Sequence, residues 1–375
     1  MTRRTMLTGA LATPLFSQTS GQVFAYAGCY TTAQRHAHGD GIHVYRMDRQ
    51  TGAWTHIQHV GNLVNPSFLI VSRDQRFLYS VHGDEAYATA FAVDAGSGFL
   101  TMLNQADTGG ANGVHLAADP GDRFMVVANY AAGSVAVLPV RPDGRLANQI
   151  QSIGLQGQPG PNPKEQTSSH PHHIVFDPSG RFVLAPDKGF DRVFVFRFDA
   201  ASGKLSPADS ASTKSSAGSG PRHAAFHPSR PIAWVVNELA SSVTTYEWDP
   251  RHGSLQPVQT LPTLPPDFQG ENTAAEIAVA PEGRFVYCSN RGHDSIAIYS
   301  THPKTGMLAS VGWVPTQGKS PRFIGFDPSH RFLYATNEQS DTIVAFRVDS
   351  ATGGLTPTGQ VVQNASPVTV AFAKA

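Results

Sequence analysis

His-Ile-Val-Phe-Asp-Pro-Ser-Gly-Arg-Phe (173–182) is written again, with few changes, as Phe-Ile-Gly-Phe-Asp-Pro-Ser-His-Arg-Phe (323–332). Around both runs the grammar is the same: an apolar strand, Pro-x-x-Arg-Phe, a second apolar strand, a turn, a third strand, an Asp and Gly-x-Leu, over Pro171 to Leu205 and Pro321 to Leu355. With the Phe of Arg-Phe as register mark, copies fall at Phe77, Phe124, Phe182, Ile232, Phe285 and Phe332, and a seventh mark, Phe24, lies one period earlier. Ile232 belongs to a degenerate copy, Pro231-Ile232. A spacing of about 47 to 58 residues is that of four-stranded propeller blades.

Alternation of period two and β-branched or aromatic content make strands of segments such as Val193 to Phe198 and Ile343 to Val348, and nothing long reads as helix. Asp-Pro-Ser-Gly (177–180), Ala-Pro-Glu-Gly (280–283) and Ala-Thr-Gly-Gly (351–354) supply turns, because Pro presets φ and Gly tolerates positive φ. The first copy begins at its second strand, whereas Pro367 to Phe372 has the form of a first strand with nothing after it. The expected fold is therefore all-β, a seven-bladed propeller closed by pairing of the C-terminal strand with the first blade, which leaves no open sheet edge.

Repeats throughout 375 residues predict one propeller domain over residues 21–375. Twenty-eight basic residues balance twenty-eight acidic ones, so no basic face invites nucleic acid. Cys29 and Cys288 lack zinc-like spacing and read as buried packing residues. Residues 1–20 open with Met1-Thr2-Arg3-Arg4 and continue to a mostly apolar run, Leu11 to Phe16, which resembles a twin-arginine export signal too short for stable membrane insertion. The expectation is export to the periplasm. A cytoplasmic protein with an N-terminal tail is the alternative.

In a propeller the start of each first strand and the end of each second strand open on one face. Six residues before the repeat Pro stand Ser67, Val114, His172, Arg222, Ala275 and Arg322. Six residues after the register mark stand Tyr30, Gly83, Tyr130, Lys188, Glu238, Arg291 and Glu338. Before the latter comes Asn129, Asn237, Asn290 or Asn337, with His82 and Asp187 as variants, a residue suited to bonding turn backbone. A scaffold by itself repeats one side chain, so positions that vary within a uniform repeat mark a superimposed site. His172, Arg222, Glu238, Arg291, Lys188 and Arg322 are accordingly predicted to meet at one channel mouth. There His172 is suited to act as general base on water, with Glu238 to orient it, and Arg222 and Arg291 to stabilise an oxyanion. The alternative is a salt-bridged plug in an inert channel.

Gly160-Pro161-Asn162-Pro163 with His170-Pro171-His172, Gly220-Pro221-Arg222-His223, Val236-Asn237-Glu238-Leu239, Gly270 to Ile277, and Ser289 to Ser295 occur in order within successive blades. With these stretches the chain, from Gly21 to Phe372, resembles the lactonase family of seven-bladed propellers, which includes propeller-type 6-phosphogluconolactonases and carboxy-cis,cis-muconate cyclases. The resemblance implies metal-independent acid/base opening or closing of a small-molecule lactone, without cofactor, by His172, Arg222, Glu238 and Arg291. Lys188, Arg322, Glu276 and His173 are the accompanying candidates for substrate binding. Departures are Cys29 in place of a usual Thr, His82 in place of Asn, and Pro231-Ile232 in place of Arg-Phe, none of them among the four.

Other patterns are weaker. His36-Ala37-His38 and His170-Pro171-His172-His173 could in principle hold a divalent metal, Glu271 stands near Glu276 in the same loop, and the Gly-rich connectors do not separate a strand from a helix. No Gly-x-Ser-x-Gly elbow is present, which disfavours a serine nucleophile. The readings carried forward are a 6-phosphogluconolactonase-like hydrolase, a muconate cycloisomerase using the same residues, and a non-catalytic propeller that binds a partner.

Overall fold

A computed structural model describes residues 21–374, so the export-signal reading at residues 1–20 lies outside the described residues. Seven four-stranded antiparallel sheets follow one another round a ring. The first blade combines Pro367–Lys374 with Val23–Cys29, Ile42–Met47 and Trp54–Val60, in that order from the channel outward. Phe24 pairs with Ala373 and Tyr26 with Ala371, which closes the ring as the orphan C-terminal strand predicts. Among the described residues helix is confined to two single 3-10 turns, Ala33–Arg35 and Glu338–Ser340. No helix among them is long and apolar enough to cross a membrane.

The Arg-Phe motif joins neighbouring blades. Phe182 lies beneath Gly253, in the turn before the outermost strand of the next blade, and Phe124 lies likewise beneath Gly203, Phe285 beneath Gly353 and Phe332 beneath Gly52. A Cβ on any of these glycines would overlap the ring below, and each has positive φ, so the turn tolerates only Gly twice over. The preceding arginines donate to carbonyls of the same turns, Arg181 to Pro250, Arg123 to Ala200, Arg284 to Ser350 and Arg331 to Arg49. The degenerate copy keeps the packing, with Ile232 beneath Gly306. Asp177 caps its own turn by accepting from the backbone N–H groups of Arg181 and Phe182.

The recurrent Asn reaches farther than its own turn. The side-chain amides of Asn129, Asn290 and Asn337 donate to the carbonyls of Thr108, Thr263 and Thr316 in the preceding inter-blade connection. The His82 ring bonds the Val64 carbonyl and the Thr89 hydroxyl instead. Both cysteines are free and buried, and Cys29 Sγ accepts from Asn364.

Candidate active site

Each first strand carries a β-bulge near its start. The register slips between Pro66 and Phe68, Gly113 and His115, Pro221 and His223, Ala274 and Ile277, and Pro321 and Phe323. In the fourth blade the slip falls between the Pro171–Asp187 bridge and Val175. A bulge leaves one residue unpaired and re-aims its side chain. The re-aimed residues are the set that stands six before the repeat Pro: Ser67, Val114, His172, Arg222, Ala275 and Arg322, with Val368 completing the first blade.

Five of these, Ser67, Val114, His172, Arg222 and Arg322, together with Val368 and Glu276 line a narrow neck of about 10 Å³, room for one water. Above it opens a basin of about 860 Å³ bordered by Glu238, Arg291, Arg322, Glu271, Glu165 and Glu338. Arg322 belongs to both walls, so neck and basin adjoin at this residue.

Glu238 is the hub of the charges. Its carboxylate stands 2.9 Å from Arg222 Nε, in an ion pair whose N–H lies off the hydrogen-bond line, and 3.4 Å from both Lys188 Nζ and Arg291 Nη2. Burial would raise the pKa of Glu238, but Arg291, Lys188, Arg222 and Arg322 hold it far below the ordinary carboxylate range, and the group is ionised. Burial next to Arg291 and Arg322 lowers Arg222 to about 10, which leaves it charged at neutral pH. Arg222 Nη1 is further fixed by donation to the Ala275 carbonyl at 2.7 Å. Removing one member of such a buried set typically costs about 3–5 kcal/mol, because the other charges are stranded.

A second chain of contacts leads to His172. His172 Nδ1 lies 3.2 Å from His223 Nε2, and His223 Nδ1 lies 2.7 Å from Glu276 Oε1. Burial, then the charge of Arg222, depress the pKa of His172 well below its ordinary value, so the imidazole is neutral at ordinary pH. His172 Nε2 is thereby the ring nitrogen left for the neck.

The residue after each bulge forms a deeper layer. Phe68, His115, His173, His223, Glu276 and Phe323 occupy it, with Phe68 3.9 Å from His115, His115 3.9 Å from His173 and His173 4.4 Å from His223 between ring centroids. Contacts also cross the channel, His115 to His223 at 5.5 Å and Phe68 to Phe323 at 6.3 Å. Phe68, His223 and Glu276 of this layer form the floor of the neck, and the aromatic contacts among His115, His173 and His223 continue beneath it, so a plug and a candidate site coexist, one on the other.

The residues predicted from sequence divide accordingly. His172, Arg222, Glu276 and Arg322 meet at the neck, and Glu238 and Arg291 border the basin while bonded to the same cluster. His173 is not brought to the mouth; it packs in the deeper layer and accepts from the Ala224 N–H at 3.4 Å. Lys188 lines neither space, because its ammonium is held between Glu165, at 2.8 Å, and Glu238, beside the Tyr130 ring. Glu238 is paired with Arg222, Lys188 and Arg291 rather than with His172, whose ring contacts His223 and, through it, Glu276. His223 was given no role on sequence grounds, although it occupies the same repeat position as Glu276, one past the bulge.

Comparison with known proteins agrees with this architecture. The family model described as "Lactonase, 7-bladed beta-propeller" matches residues 24–372. A 6-phosphogluconolactonase of Bacillus subtilis is 34% identical over 305 residues, covering 81% of this chain and 84% of the relative. The crystal structure of a putative 6-phosphogluconolactonase from Bacteroides fragilis superposes with a TM-score of 0.87 at 30% identity, covering 95% of this chain and 99% of that one. The periplasmic gluconolactonase of Pseudomonas aeruginosa superposes with a TM-score of 0.86 at 32% identity, covering 94% and 99%. The chain belongs to the lactonase family of seven-bladed β-propellers.

Proposed function

We propose that the chain hydrolyses a six-membered sugar lactone by His172-assisted attack of water, converting 6-phospho-glucono-1,5-lactone to 6-phosphogluconate. The observation that carries this reading is the run of contacts from Glu276 through His223 to His172, ending at a neck that Arg222 also lines. An ionised Glu276 accepts the His223 Nδ1 hydrogen. His223 Nε2 then accepts from His172 Nδ1, and the lone pair of His172 Nε2 is free to take a proton.

In the reaction the water oxygen bonds to the lactone carbonyl carbon while one of its protons passes to His172 Nε2. The carbonyl oxygen becomes an oxyanion beside the Arg222 guanidinium. The bond from carbonyl carbon to ring oxygen then breaks, and the imidazolium returns its proton to the departing oxygen. Arg291 and Arg322, on the basin wall, are the groups that would receive the anionic end of the substrate. Glu238 holds the guanidinium groups apart and in place, and the deeper aromatic layer limits water below.

The names of relatives support the phosphorylated substrate. A second reading, an unphosphorylated gluconolactone met outside the cytoplasm, is favoured by the likeness to a periplasmic gluconolactonase and by Arg3-Arg4 near the N-terminus, which we read as an export signal. Ring closure on a muconate would employ the same residues in the reverse sense, and a partner-binding propeller would need none of them.

Purified protein assayed with glucono-1,5-lactone and its 6-phosphate, corrected for spontaneous opening, separates these readings. His172→Ala should lower kcat by about 10²–10⁴ with the fold intact. Unchanged turnover would overturn the general base. If the phosphate is bound as proposed, Arg322→Ala raises KM for the phosphorylated lactone far more than it lowers kcat, and leaves KM for the plain lactone nearly unmoved.

A further inference from the structure

The outer half of the first blade carries a cluster unrelated to the channel. His43 on Ile42–Met47 and His59 on the outermost strand, Trp54–Val60, are direct cross-strand partners. Partners on one face of an antiparallel pair bring their Cβ atoms to about 4.5–5.5 Å. The register slips between Val44 and Tyr45, so that Ile57 is left over and His56 comes opposite Tyr45, on the face that His43 and His59 share. Asp40 approaches from the loop before Ile42, where Gly41, at φ +145°, turns the chain into the strand.

The donor atoms converge. Asp40 Oδ1 is 2.7 Å from His43 Nε2, Asp40 Oδ2 is 3.2 Å from His59 Nε2, and the three donor atoms lie within 4.8 Å of one another. In a tetrahedral zinc site with bonds of about 2.0–2.1 Å, donors stand roughly 3.3 Å apart, so small side-chain rotations suffice. His43 Nδ1 is 3.1 Å from His56 Nε2, a contact that fixes the ring and, when Nδ1–H donates to His56, frees Nε2 to ligate an ion beside Asp40. His59 and Asp40 are exposed, which leaves an open path for an ion.

We propose that Asp40, His43 and His59 bind a divalent transition-metal ion of the zinc class, with His56 as the positioning residue for His43. Two imidazole nitrogens and one carboxylate suit Zn²⁺ or Cu²⁺ better than Mg²⁺ or Ca²⁺, which prefer all-oxygen sites. The ion takes the place of the protons by which the two rings contact the carboxylate, and water completes the shell. Binding ties the loop that carries Arg35, itself bonded to Asp84 beside Tyr30, to the outermost strand of the blade.

The test is isothermal titration of tag-free, chelator-treated protein with Zn²⁺ alone, together with anomalous scattering at the zinc edge. One equivalent should bind in the wild type, with a rise in Tm. His59→Ala and Asp40→Ala, whose sites are on the surface, should fold normally and lose saturable uptake. His56→Ala should weaken binding by about tenfold. Absence of saturable uptake in the wild type, uptake unchanged in both variants, or an anomalous peak elsewhere each overturns the site.

Discussion

At the residue scale, the behaviour of the candidate site turns on Glu276. Burial pushes its carboxyl up to about 7, against the opposing pull of Arg222 and His173. Below that pH Glu276 holds a proton and donates to His223, the hydrogen-bond direction reverses, and His172 Nε2 no longer presents a lone pair. Activity therefore requires loss of the proton, and kcat/KM should rise with pH through about 7. Glu276→Gln keeps an acceptor oxygen but cannot titrate, so the rising limb should vanish from the pH–rate profile. A variant that is uniformly slower with the limb unmoved would remove Glu276 from the relay. His172, Arg222, Glu238 and Arg291 were legible in sequence because a His, Arg or Glu at a position that other blades fill with Ser, Val, Ala, Gly or Tyr stands out. His223 was not legible, because His115 and His173 occupy the same position and their agreement looks like scaffold.

At the element scale, two local devices shape the molecule: the bulge at the start of each first strand and the glycine turn before each fourth. The turn has a measurable consequence. A Cβ added at Gly253, φ +71°, would overlap the buried Phe182 ring, whereas one added at Gly359, φ +81°, would meet nothing within 4 Å. Gly359→Ala should cost only the backbone strain, at the low end of about 1–3 kcal/mol. Gly253→Ala adds overlap with a ring that has no room to move, and should cost about 2–5 kcal/mol in urea unfolding. Equal losses at the two positions would mean that inter-blade packing at the turn contributes little. The bulge escaped sequence reading for a physical reason. Alternation assigns side chains strictly to two faces, and an inserted unpaired residue shifts that phase without requiring any particular residue type, as Ser67, Val114 and Arg222 at equivalent places demonstrate.

At the scale of the whole molecule, stability rests on closure. Every blade is covered by the next through its register residue beneath a glycine turn, Phe after Arg in five blades, Ile232 after Pro231 in the fifth and Phe24 after Val23 in the first, and the last joins the first because Phe332 and Tyr334 reach Gly52 of the first blade. Deleting residues 367–375 removes the channel strand of that blade, bares the edge of Val23–Cys29, and takes away Val370, which packs with Tyr334 and Ile343 of the seventh blade. The truncated chain should lose its cooperative thermal transition and elute as aggregate on size exclusion, since an open edge pairs with other chains. A monomer with unchanged Tm would show that six blades and three strands hold together without the clasp.

Period, turn chemistry and the displaced terminal strand determined the all-β ring, its seven blades and its closure from sequence alone, because each blade is built from local pairings whose signals lie within some fifty residues. The composition of the charged cluster was also readable. What only the tertiary structure decided was depth and partnership: that Lys188 is shut between Glu165 and Glu238, that His173 lies in a plug beneath the neck, that Glu276 rather than Glu238 reaches His172 through His223, and that Asp40 meets His43 and His59. Those relations depend on how bulges turn side chains and on how seven first strands converge on one axis. Neither is a property of any segment read by itself.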